Sequence, residues 1–91
     1  MYSICIPRID ATIPRSFIFR TFVALDIGFI DKILELPIKS DPAYKRIILL
    51  IRWNNSKMSQ YFRYRFDQET NVKVVYSMPW YWICVANRFH K

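Results

Sequence analysis

Side chains able to do covalent or metal chemistry are few in this chain, and their spacing suits none of the usual sites. Its two thiols, Cys5 and Cys84, stand near opposite ends, the single imidazole is His90, and the seven carboxylates are scattered through turns among basic neighbours. A zinc site needs closely spaced Cys and His pairs, and no Cys-x-x-Cys occurs. Covalent catalysis needs a nucleophile, a base and an orienting group, and phosphate chemistry needs a glycine-rich loop; the only glycine is Gly28. The sequence therefore predicts a protein that is not an enzyme and takes no metal or cofactor. Cys5 and Cys84 fall on adjacent antiparallel strands in the expected order, so alternation allows both on one outer face. Pairing requires Cα atoms within about 7 Å, which strand register decides, and a reducing compartment favours free thiols.

Recognition chemistry is better represented. Residues 78–86, Met-Pro-Trp-Tyr-Trp-Ile-Cys-Val-Ala, carry three consecutive aromatics in a strand-like run. Alternation sets Trp80, Trp82 and Cys84 on one face and Tyr81, Ile83 and Val85 on the other. Fourteen Lys and Arg against seven Asp and Glu give a net charge of +7 and a pI near 9.7, a balance that favours a polyanionic partner. For any single cation, among them Lys45, Arg46, Arg52, Lys57, Arg63, Arg65, Lys73, Arg88 and Lys91, the ordinary role is a solvated surface. For the two indoles it is covering the sheet beneath a loop, the chain end or a second copy.

Hydrophobic residues make up 53% of the chain and charged residues 23%, which places it among folding rather than disordered sequences. Its length fits one domain spanning residues 1–91. The longest apolar run, residues 47–51, is far short of the ~20 residues of a membrane helix. The first residues lack the basic and apolar regions of a secretory signal. An intracellular protein that neither spans nor binds a membrane is expected.

Period and punctuation outline the elements that position these side chains. Residues 2–6 read as a strand ended by Pro7. Thr12 is a candidate cap for a helix that has Pro14 in its first turn, Ile18, Phe22 and Leu25 on one stripe, and Gly28 as its stop. Residues 30–36 and 44–52 read as strands, separated by Pro37 and the Lys-Ser-Asp-Pro cluster at 39–42; the unbroken apolar run inside the second marks a strand covered on both faces. Asn54, Asn55 or Ser56 caps a second helix carrying Met58, Tyr61, Phe62 and Phe66. A hairpin then pairs residues 72–76 with 80–86 through the turn Ser77-Met78-Pro79. The order predicts an α+β, ferredoxin-like βαββαβ sandwich: a four-stranded antiparallel sheet, with a short extra hairpin strand, backed by two helices on one face.

Over nearly its whole length the chain resembles the RNA-recognition motif. Ile4-Cys5-Ile6-Pro7-Arg8-Ile9 is similar to that family's first-strand signature. Phe22 through Leu25 to Ile27-Gly28-Phe29-Ile30 is similar to its helix exit into the second strand, and residues 44–51 occupy its third-strand signature. The ending Val74-Val75-Tyr76-Ser77-Met78-Pro79-Trp80-Tyr81-Trp82 further resembles small proteins of this kind from large DNA viruses. The resemblance implies a sheet that stacks single-stranded RNA bases on exposed aromatics. The sequence departs from the pattern where stacking is done: Cys5 stands in place of the first aromatic, Arg46 and Ile48 in place of the third-strand pair, and the neighbouring glycines are missing.

The family's arrangement implies that Ile4, Ile6, Ile47, Leu49, Ile51, Ile83 and Val85 point toward the helices. Cys5, Arg46, Ile48, Leu50, Trp80, Trp82 and Cys84 then share the opposite face, with Arg52 and Arg88 on its basic rim. Two indoles and Arg46 would take single-stranded RNA or another nucleic acid. Alternatively the same apolar face docks another protein subunit or a second copy, as in a virion component or accessory protein, since Ile48 and Leu50 cannot stack on a base. The location would then be host cytoplasm or virion.

Overall fold

In the computed structural model, which describes residues 1–87, the order is β1 (Tyr2–Asp10), α1 (Arg15–Leu25), β2 (Gly28–Pro37), β3 (Tyr44–Trp53), α2 (Lys57–Asp67), β4 (Val72–Ser77) and β5 (Trp80–Ala86). The element order matches the sequence reading. Arg88, His90 and Lys91 lie outside the described residues.

The strands form one five-stranded antiparallel sheet in the order β2-β3-β1-β5-β4, not four strands with a minor extra piece. β4 continues the chain from α2 at the sheet edge, and β5 returns beside β1. Because β5 and β3 are each antiparallel to β1, they run parallel to one another with β1 between them.

Both helices lie on the same side. Ile18 and Phe22 of α1 and Phe62 and Phe66 of α2 form one core with Ile4, Ile6, Ile47, Leu49 and Ile51, all essentially without exposure. Burying these groups is the main source of stability, on the order of 1.5–3 kcal/mol for each large apolar side chain. The expected inward set on β1 and β3 is therefore correct, and the opposite face of the sheet is left without a covering helix.

Three local expectations are corrected. Pro7 does not end β1: it falls in a bulge where Pro7 and Arg8 together oppose Arg46, a place where a proline's missing N–H costs no ladder bond. Thr12 does not cap α1. Its N–H and hydroxyl both donate to Asp10 Oδ1, at 2.8 and 2.6 Å, and the helix starts at Arg15 with Pro14 in the capping position. Gly28 does not stop α1 either. Asp26 does so in the left-handed conformation, its N–H bonded to Val23 O, while Gly28 opens β2 where a Cβ would overlap the Arg52 carbonyl. Of the three candidates for the second helix, Ser56 is the cap, accepting from Ser59 N at 3.0 Å.

A charged cluster ties α1 to the sheet. Lys45, expected at a solvated surface, keeps only 11% of its side chain exposed; its Nζ donates to Glu35 Oε1 at 2.7 Å and Ile13 O at 2.6 Å, while Arg15 Nη2 donates to Glu35 Oε2 at 2.9 Å. The Lys45 ammonium, with Arg15 beside it, holds the Glu35 carboxyl below its usual range despite partial burial. A depressed folded-state value gives stability that is fully present above the unfolded glutamate value of about 4.3 and lost as pH falls through the folded one. Glu35→Gln should lower stability at neutral pH and flatten its decline below about pH 4, read by urea denaturation across a pH series.

Candidate functional site

β5 has the opposite parity to that expected. Trp82 is 3% exposed and Cys84 fully buried, both on the helix side, whereas Tyr81, Ile83 and Val85 occupy the open face. The cause lies in β4. Val72 and Val74 are buried and Lys73 between them is exposed, and the register Val72↔Cys84 and Val74↔Trp82 carries that alternation across the hairpin. Trp82 then stacks on Tyr76 at a centroid distance of 4.5 Å, lies 6.2 Å from Phe22, and meets the edge of Phe17 at 6.0 Å. Its Nε1–H has no acceptor among the described residues, so the ring contacts carry its burial. Trp80 shares the parity of Trp82 but stands 64% exposed at the hairpin end. Neither indole is a platform at the centre of the open sheet.

The remaining expected residues do come together. Cys5 pairs with Ile48 on one side and Val85 on the other, and Arg46 and Leu50 follow the same alternation along β3. Cys5, Arg46, Ile48 and Val85 line a shallow groove of about 540 Å³ together with Leu34 and Leu36 of β2. Its floor is apolar, with Cys5 and Ile48 only 8% and 7% exposed. Arg46 is exposed and has no ion-pair partner among the described residues.

Around that floor the open face carries three rings, each beside a cation, that the sequence reading did not assign to it. The Arg8 guanidinium lies 4.0 Å from the Tyr44 ring centre, Lys73 Nζ 5.0 Å from that of Tyr81, and Arg52 5.8 Å from that of Phe29. Phe29 is 64% and Tyr81 46% exposed. Arg8 also pairs with Asp41, and Arg52 with Asp31 at 3.4 Å, whereas Arg46, Lys73 and Lys32 are cations of this face with no carboxylate partner among the described residues. The available signal was the Val-Lys-Val alternation of β4 read together with the hairpin register.

The thiols fall on opposite faces, Cys5 beside Val85 and Cys84 opposite Val72, and both are free. Burial pushes the Cys84 thiol up to about 12, with the nearby Cys5 adding to the shift; burial also raises Cys5, against a smaller opposing pull from Arg46. Neither carries the thiolate character of a reactive cysteine. Among the described residues no group of three or more His, Cys, Asp or Glu side chains is placed to hold a metal ion, and no helix is long and apolar enough to cross a membrane. Comparison with protein-family models, with curated proteins and with solved structures finds no match.

Because Trp82 is a core residue, Trp82→Ala should destabilise the protein by about 3–5 kcal/mol in urea denaturation, while Trp80→Ala should stay within about 0.5 kcal/mol.

Proposed function

We propose that this protein binds single-stranded nucleic acid, RNA in the first place, across the open face of its sheet. The observation that carries the reading is the set of three cation–ring pairs around an uncovered sheet in a chain of net charge +7. Phe29, Tyr44 and Tyr81 supply π-faces for bases, worth about 1–3 kcal/mol per stacked base. Arg46 and Lys73 neutralise phosphates, and Arg8 and Arg52 do so by exchanging their carboxylate partners for phosphate oxygens. The role first assigned to the two indoles passes to these rings. The strand order supports a ferredoxin-like, RNA-recognition-motif-like plan in which β5 takes the fourth-strand place and β4 is an added edge strand. No catalytic step, metal or cofactor enters this reading.

One observation favours a second reading, the docking of a protein subunit as in a viral structural or accessory protein. The groove floor of Cys5, Ile48 and Val85 is aliphatic, offers nothing to stack on, and suits a buried apolar anchor.

Salt separates the two. Binding to a labelled single-stranded RNA, followed by fluorescence anisotropy, should weaken with a log–log slope of about −0.7 per phosphate neutralised. Tyr81→Ala should cost about 1–3 kcal/mol at every salt concentration, and Arg46→Ala should lower the slope by about one phosphate contact. Absence of salt-dependent binding would overturn the nucleic-acid reading.

A further inference from the structure

β2 is an edge strand, and nothing on its outer side meets its backbone N–H and C=O groups within the sheet. An edge of this length is a template for another strand. α1 packs mainly against β2, and Phe19 lines a cleft of about 840 Å³ with β2 residues 30–36. Phe19 and Val23 stand one helical turn apart on α1, and both remain well exposed, 46% and 51%. The edge thus offers free backbone groups below and an uncovered apolar stripe above.

We infer that this edge pairs with the same edge of a second copy, β2 antiparallel to β2, giving one sheet continuous through both chains with the two α1 helices side by side over the seam. The argument is one of register. In a regular strand, a two-fold axis that pairs residues of odd and even number sets inward against outward side chains. Asp31 is an extra, bulged residue, so Ile30 opposes Ile51 on the helix side while Lys32 opposes Leu50 on the open side. The bulge flips parity at the strand centre. A two-fold axis placed there pairs Asp31 with Lys32 of the second copy, twice, and matches every flanking face: Ile30 meets Ile33 on the helix side and Phe29 meets Leu34 on the open side. Lys32 has no ion-pair partner among the described residues, and Asp31 holds only the 3.4 Å contact to Arg52. A bulge and adjacent charges ordinarily guard an edge; here the two charges complement each other across the symmetry axis. The helix stripe closes the seam, Phe19 and Val23 of one copy against those of the other.

Dimerisation of this kind brings together two chains of like charge, each +7, so added salt should strengthen it, the reverse of its effect on nucleic-acid binding. Sedimentation velocity of the chain alone, over a concentration series at low and high salt, should show a monomer–dimer equilibrium that shifts toward dimer with salt. Phe19→Asp and Lys32→Asp should each raise the dissociation constant about tenfold or more, and the exchange Asp31→Lys with Lys32→Asp should recover most of the loss caused by Lys32→Asp alone. Circular dichroism confirms that each variant is folded. A monomer under all conditions, or a dimer indifferent to Phe19→Asp and to the charge exchange, would overturn the inference. RNA binding is read separately, so its failure leaves this result unaffected.

Discussion

The constraint on which the candidate site depends is the parity of the β4–β5 hairpin. Lys73 stands between Val72 and Val74, and the cost of desolvating an unpaired ammonium decides which way β4 faces. Cross-strand register transmits that decision to β5, where Trp82 enters a box of Phe17, Phe22 and Tyr76. A slip of one residue would expose that ring and bury Tyr81 and Ile83 in its place. The open face is therefore what the core leaves behind. Its aromatic character comes from Phe29, Tyr44 and Tyr81 rather than from tryptophan.

Bulges play the same part elsewhere in the sheet. At Pro7 and Arg8 an extra residue lets a proline sit inside a strand and brings Arg8 over Tyr44, opposite Arg46. At Asp31 another reverses the parity of the β2 edge. At Tyr76 a third lies between the pairs Val75↔Tyr81 and Ser77↔Trp80, next to the stacked Trp82. Each redirects a side chain without interrupting the sheet: Arg8 and Asp31 border the surfaces argued to bind, whereas Tyr76 packs on Trp82 at the core.

The order of elements was legible because long apolar runs, proline clusters and the Ser56 cap are local signals. The inward set of β1 and β3 followed from the strand arrangement that the resemblance implies, because the unbroken run of isoleucines and leucines in β3 is equally apolar in both parities. The number of strands in the sheet and the facing of β5 depend on pairing between strands, which no single window reveals. Trp82 was misplaced because a run of alternating aromatics and aliphatics is equally apolar in both parities. Only the lysine on the partner strand breaks the tie. Pro7 and Gly28 were read by residue type as stops, whereas a bulge makes the first harmless and the Arg52 carbonyl explains the second. Phe29, Tyr44 and Tyr81 escaped notice because each looks like an ordinary strand residue until its neighbours across the sheet are known.

The central claim is that the helix-free side of the sheet, rather than the tryptophan-bearing side, meets the nucleic acid. Side-chain methyl and aromatic NMR signals followed during titration with a short single-stranded RNA test it directly. The account predicts saturable shifts at the Ile48, Ile83 and Val85 methyls and the Tyr81 ring, with the Trp82 ring and the Ile4 and Leu49 methyls unmoved. Shifts at Trp82 with Ile83 and Val85 silent, or no saturable shift on either side, would contradict it.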